Sequence, residues 1–181
     1  MVYEEKEIVL KNEKKAIFRS PVAEDAKDML EYLKTCAGET EFLLRYPEEC
    51  DATVEGEENF LKSINDSEHS IMIVCFVEGE MAGNCHLSFY AGIKTKHRAS
   101  VAIALKKKFW GMGIGTALFQ EMIQIAKEKD IAQLELTVIE GNERAKALYE
   151  KMGFSVVAEH PNAIRFKDGT MLKEFLMIKT L

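Results

Sequence analysis

The sequence predicts an α/β fold built on one mixed sheet, and three observations carry that prediction. Short β-type runs alternate with amphipathic helical stretches along the whole chain. Residues 100–105 (SVAIAL), short, apolar and β-branched enough for a buried strand, lead through 106–116 (KKKFWGMGIGT) directly into a strongly amphipathic helix. At 181 residues and 47% hydrophobic content the chain can bury a substantial core, most simply as a single domain, 1–181.

Taken in order, residues 7–10 and 16–19 read as two short strands joined by the polar stretch 11–15. Pro21 then precedes a helix through about residue 34, with Ala26, Met29, Leu30 and Leu33 on its apolar face. Residues 35–58 are acidic and irregular, and a second helix is expected over about 57–64. Residues 70–77, the turn Glu78-Gly79-Glu80 and residues 81–90 read as a hairpin. Residues 97–105 supply the next strand. In the helix after the glycines, Leu118, Phe119, Met122, Ile123 and Ala126 recur at helical spacing. Residues 133–138 (QLELTV) alternate like a strand, and a helix from about Asn142 to Met152 stops on Gly153. Residues 156–159 and 175–179 close the chain as strands around 166–169, whose Asp168-Gly169 is a turn signal.

Composition narrows the function classes. A net charge of −6 argues against a nucleic-acid binder dominated by phosphate contacts. Lys106, Lys107 and Lys108 are a local exception. No apolar run approaches the roughly 18 residues that span a bilayer, and the first ten residues carry charges. The expectation is a cytoplasmic protein without a membrane partner. Cys36, Cys50, Cys75 and Cys85 form no C-x-x-C pair, so no metal site is expected and the thiols read as reduced packing residues.

The glycines carry the chemistry. A strand passing through Gly111, Gly113 and Gly115 into a helix aims backbone N–H groups and the positive end of the helix dipole at a bound anion. A nucleoside-triphosphate loop needs Gly-Lys-Ser/Thr, whereas Gly115 is followed directly by Thr116. A dinucleotide fingerprint would need its third glycine where Thr116 stands, and no strand–helix repeats lie upstream. A third reading, a loop for the pyrophosphate of coenzyme A, comes from the family resemblance that two strings of this chain carry.

Two strings carry a family resemblance. Trp110-Gly111-Met112-Gly113-Ile114-Gly115 resembles the Gln/Arg-x-x-Gly-x-Gly/Ala loop of the GCN5-related N-acetyltransferases (GNAT), in the bacterial branch with W-G-x-G-I-G. About thirty residues on, the stretch from Asn142 to Phe154 is similar to that family's N-x-x-A-x-x-L-Y-x-x-x-G-F. Glu39-Thr40-Glu41-Phe42 and Phe175-Leu176-Met177 also resemble that branch. The resemblance spans nearly the whole chain and implies a GNAT-like domain, a mixed, mostly antiparallel central sheet flanked by helices and splayed between the strands the family numbers β4 and β5. The first of these runs into the glycine loop.

The resemblance also implies roles. Acetyl-CoA would be the co-substrate, its pantetheine arm pairing like an extra strand with Ile103, Ala104 and Leu105. Gly111, Met112, Gly113, Ile114, Gly115 and Thr116 would hold the pyrophosphate. Asn142 would cap its helix and bond the coenzyme arm. Tyr149, nearly two turns on, would protonate the departing thiolate after direct attack by a neutral primary amine in a ternary complex. A base must first take the ammonium proton. Thr137 stands where relatives acting on protein N-termini often carry Glu, so Glu135, on the same strand face, is the first candidate, followed by His97 and His86. Glu39 and Glu41 would attract a cationic acceptor, either a small-molecule amine or a protein amine. The rival readings are a non-catalytic acyl-CoA-binding module and a nucleotide-binding oxidoreductase. Edge strands near the C-terminus could pair between subunits as a homodimer.

Overall fold

The computed structural model describes residues 1–181. Strands β1 (Lys6–Val9), β2 (Lys15–Arg19), β3 (Ser70–Val77), β4 (Glu80–Phe89), β5 (Arg98–Leu105), β6 (Gln133–Ile139), β7 (Ser155–Arg165) and β8 (Met171–Thr180) form one eight-stranded sheet. Their order is β1-β2-β3-β4-β5-β6-β8-β7. The β5–β6 pair is parallel, while β1–β2, β2–β3, β3–β4, β6–β8 and β7–β8 are antiparallel. With helices α1 (Ala26–Glu39), α2 (Val54–Asp66), α3 (Ile114–Glu128) and α4 (Glu143–Lys151), this is the mixed, mostly antiparallel α/β class that the sequence predicts. The chain divides into two compact units, residues 1–88 with 102–118, and residues 89–101 with 119–181.

In the first unit, α1 buries Ala26, Met29, Tyr32 and Cys36 against Leu61 and Ile64 of α2 and against Met72, Val74 and Met81 of the sheet. Cys36 and Ala37 prolong the apolar stripe by one turn. The helix therefore runs to Glu39, through a segment whose acidity reads as loop. Helix α2 starts at Val54, earlier than its hydrophobic residues indicate, because the Thr53 side chain accepts from the Gly56 N–H at 3.1 Å and caps it. Glu78 (φ 52°) and Gly79 (φ 80°) take the left-handed geometry of a tight hairpin turn between β3 and β4.

In the second unit, Phe119 of α3 meets Tyr149 of α4 and Phe154 edge-on, with ring centroids 5.4 and 5.7 Å away. The β7–β8 hairpin is much longer than the predicted strands 156–159 and 175–179. Cross-strand pairing carries β structure out to Arg165 and Met171, through polar residues that show no apolar alternation. Its turn closes where Asp168-Gly169 predicts, with the Gly169 N–H donating to the Phe166 carbonyl at 2.9 Å.

One expectation is overturned. The run 100–105 reads as a buried strand, yet Ala102 is exposed and Ile103, Ala104 and Leu105 are only half-buried. Strand β5 pairs with β6 over Arg98–Ser100 against Gln133–Glu135, so that pairing covers only its first residues. Gly83 of β4 fits against the last ones. A Cβ there would fall within the Leu105 side chain and 2.6 Å from the Ala104 carbonyl oxygen. We expect Gly83→Ala to destabilise the protein by about 1–3 kcal/mol in denaturant unfolding, the usual cost of overpacking a tight core. Unchanged stability would contradict this close approach.

Candidate active site

The end of β5 is fixed by four contacts from neighbouring elements of the first unit. The Lys106 N–H donates to the Ala82 carbonyl at 2.9 Å, and the Tyr32 hydroxyl donates to the Ala104 carbonyl at 2.8 Å. Residues 104 and 106 thus turn their backbone groups toward β4, and by strand alternation Ile103 and Leu105 turn theirs to the opposite edge. The Trp110 indole N–H donates to the Leu105 carbonyl at 2.9 Å. The Glu39 carboxylate accepts the Lys107 N–H at 2.6 Å. Of the three residues expected to pair with the coenzyme arm, Ala104 and Leu105 both have their carbonyls engaged, by Tyr32 and by Trp110; Ile103 and Leu105 face the edge such an arm would need, Leu105 there with its N–H.

After β5 the chain makes a tight turn, with the Phe109 and Trp110 N–H groups donating to the Lys106 and Lys107 carbonyls at 3.0 and 3.1 Å. Gly111 (φ 81°) and Gly113 (φ 90°) occupy the left-handed region that glycine takes without strain. The loop is held from outside where the Lys11 N–H donates to the Met112 carbonyl at 3.2 Å. A Cβ on Gly113 would sit 3.1 Å from Lys11 Cγ. Helix α3 opens with the Ala117 N–H donating to the Gly113 carbonyl at 3.0 Å. The N–H groups of Ile114, Gly115 and Thr116 therefore lie in the first turn, where an α-helix supplies no carbonyl partner and its dipole favours an anion.

The lysine run is not a uniform basic patch. Lys106 is buried with its Nζ 3.0 Å from Glu80, and Lys108 lies 2.5 Å from the other oxygen of that carboxylate. Hydrogen bonds from Lys108 and Lys106 hold the Glu80 carboxyl below its usual range. Lys107 is exposed and lies 6.0 Å over the Trp110 ring. Glu39, expected at the mouth for a cationic acceptor, instead braces the start of the loop, because α1 runs far enough to bring it there. Glu41 is exposed. The His86 Nε2 is buried without a hydrogen-bond partner, and burial pulls this imidazole below its ordinary range, so it is neutral at neutral pH.

In the second unit, the Asn142 side chain accepts from the Ala145 N–H at 3.2 Å, an N-cap that leaves the amide NH2 for another acceptor. Tyr149 is 8% exposed and packed against Phe119, and burial pushes its phenol up to about 12. Glu135 differs from its expected part. It is 6% exposed, with its two oxygens 2.9 and 2.7 Å from the same nitrogen of the half-exposed Arg98, so an incoming amine meets a carboxylate that is already ion-paired. The Arg98 guanidinium lies 5.0 Å over the Tyr90 ring, and a Tyr90–Glu135 hydrogen bond raises the Tyr90 phenol above its usual range. Thr137, two residues along β6, is exposed. His97 is exposed, and its carbonyl accepts the Ala132 and Gln133 N–H groups at 2.8 and 3.1 Å.

Sequence reasoning missed Tyr32, Arg98 and the Trp110–Leu105 bond. Tyr32 reads as one more helix-face residue. Arg98 gives no local signal, since Glu135 lies 37 positions away and meets it only through the β5–β6 register. No helix is long and apolar enough to cross a membrane.

Comparison with known proteins converges on one family. The model of the acetyltransferase (GNAT) family matches residues 28–154, which include the glycine loop, Glu135, Asn142 and Tyr149. The chain is 28% identical over 97 residues to a protein assigned as the ribosomal protein bS18 alanine N-acetyltransferase of Bacillus subtilis, covering 54% of this chain and 62% of that one. It is 29% identical over 101 residues to the thialysine N-epsilon-acetyltransferase of Bos taurus, covering 51% and 59%. The matches thus span about three fifths of these relatives' own length. An acetyltransferase of the GNAT family from Streptococcus pneumoniae superposes with a TM-score of 0.85 at 26% identity, over 92% of this chain and 99% of that one. The match of the family model over residues 28–154, a span that takes in the glycine loop at the head of α3, the Asn142 cap and the buried Tyr149, shows that this chain belongs to the GNAT acetyltransferase family.

Proposed function

We propose that this protein is an acetyl-CoA-dependent N-acetyltransferase, one catalytic domain over residues 1–181 that moves the acetyl group to a primary amine. The observation that carries the reading is the loop: left-handed glycines at 111 and 113 opening α3 within a span that matches the family model. In this reading the N–H groups of residues 111–116 receive the pyrophosphate. Ile103 and Leu105 pair with the pantetheine arm, and Asn142 donates its amide to that arm while its oxygen caps α4.

The amine lone pair attacks the thioester carbonyl carbon. A C–N bond forms, the C–S bond breaks and the sulfur leaves as thiolate. Tyr149 serves that leaving sulfur. Because burial holds it near 12, the phenol is protonated at every working pH and donates a hydrogen bond to the developing charge. It is a weaker acid than an alkyl thiol at ~8.5, so complete transfer from phenol to sulfur runs uphill. The proton shed by the amine nitrogen is the one that finally reaches solvent or thiolate. Glu135, held by Arg98, orders the β5–β6 junction in this reading, and water takes the first ammonium proton. The two curated relatives' names specify an alanine and thialysine as acceptors, which supports an amine acceptor class without choosing within it.

The test is thiol release from acetyl-CoA in the presence of a panel of primary amines. Tyr149→Phe is expected to lower kcat by about 10²-fold or more, the range of a positioned acid or oxyanion-type donor, with acetyl-CoA affinity changed less than about threefold. Equal kcat in the variant would remove Tyr149 from the chemistry. Turnover absent in wild type, with acetyl-CoA still bound, would favour a non-catalytic acyl-CoA-binding module. The wild-type rate should show no alkaline limb near the ordinary tyrosine value of ~10, since the phenol stays protonated up to about 12. A tyrosine-like fall in kcat between pH 9 and 10 would contradict that burial.

A further inference from the structure

The sheet of the second unit has two chemically different faces. On one, Phe175 of β8 lies under Lys146 of α4 at 5.2 Å, and Lys173 pairs with Glu159 at 3.0 Å and with Glu140 at 4.0 Å. Met177, on the same face by alternation, is fully buried. That face packs on its helix and its charges are matched.

The opposite face carries Glu135, Thr137 and Ile139 along β6. Direct cross-strand partners share a face, so the row continues through Ile178, Leu176 and Glu174 of β8 to Ala158 and His160 of β7. Thr137, Ala158 and His160 are exposed and Leu176 and Glu174 half-exposed, so this strip is open to solvent. It holds two carboxylates. Glu135 is buried and neutralised by Arg98, with the Tyr90 ring against that pair. Glu174 stands directly between Ile139 and His160, and diagonal to Thr137 at a typical ~7–8 Å. The Ile139 end of β6 is also the end that leads within three residues to Asn142.

Resting on the acetyltransferase reading, we propose that Glu174 is the residue that selects the acceptor, binding the ammonium group of an aliphatic primary amine whose hydrocarbon part lies along Leu176 and Ala158. An exposed carboxylate beside an apolar strip prefers a cationic head on an aliphatic body over a neutral or anionic amine. The groups bearing on Glu174 from the packed strands are His160 of β7 and the Arg98-paired Glu135 of β6.

The experiment measures acceptor KM and kcat for cadaverine, n-butylamine and an alanine-initiated peptide with wild type, Glu174→Gln and Glu174→Asp, alongside acetyl-CoA affinity by calorimetry. Binding of cadaverine is followed in parallel by the Leu176 methyl chemical shifts, which needs no turnover. Glu174→Gln is expected to raise the KM of the best amine at least tenfold, with kcat within threefold and acetyl-CoA affinity unchanged. Glu174→Asp should recover part of the loss. Unchanged KM in Glu174→Gln, or no Leu176 shift in wild type with any of the amines, overturns the proposal. Loss of acetyl-CoA binding by wild type would instead overturn the acetyltransferase reading itself.

Discussion

The structure depends on the close approach of the end of β5 to its neighbours in the first unit. Gly83 has no side chain because the Leu105 side chain and the Ala104 carbonyl fill that space. The same carbonyl anchors the hydroxyl of the fully buried Tyr32, which lies 3.1 Å from the Asn84 side-chain oxygen. This closeness fixes which edge of β5 each residue presents. Ala104 and Lys106 are committed to β4, and Ile103 and Leu105 to the other side. A single register change would exchange the two sets and remove the edge on which an extended ligand could pair.

The glycine loop inherits its position from that anchored strand. Trp110 ties the first loop position to Leu105, Glu39 holds Lys107, and Lys11 holds Met112. The left-handed glycines then turn the chain into α3, whose first-turn N–H groups have no carbonyl partner within the helix. Charge is handled differently from what three adjacent lysines suggest. With Lys106 and Lys108 shared on Glu80, an anion at the loop would rely on backbone donors and the helix dipole; of the exposed Lys107 and Lys108, Lys107 lies outside that ion pair. Preorganised neutral donors bind an anion without the reorganisation that flexible lysines require.

Much of this was legible in the sequence because it rests on local chemistry. Glycine at 111 and 113 reports left-handed backbone, Asn142 reports a cap, and alternating apolar residues report β6. What was not legible depends on contacts between residues far apart in the chain. The length of α1, and with it the bracing role of Glu39, follows from Cys36 and Ala37 finding a core that an acidic local composition conceals. The capture of Glu135 by Arg98 requires the parallel register that sets Ser100 opposite Glu135. The exposure of Ala102 was not legible either, because an apolar strand end has the same composition whether or not distant parts of the chain cover it.

The central claim is that residues 111–116 form the pyrophosphate cradle of an acyl-CoA site, and the sole tryptophan, Trp110, stands at its entrance. The most direct measurement is a calorimetric titration of the protein with acetyl-CoA, CoA and NAD, with Trp110 fluorescence followed in the same samples. The account predicts one-to-one binding of acetyl-CoA and CoA with a change in Trp110 emission, and no binding of NAD. Folded protein silent toward both thioester and thiol, or binding NAD in their place, would contradict it.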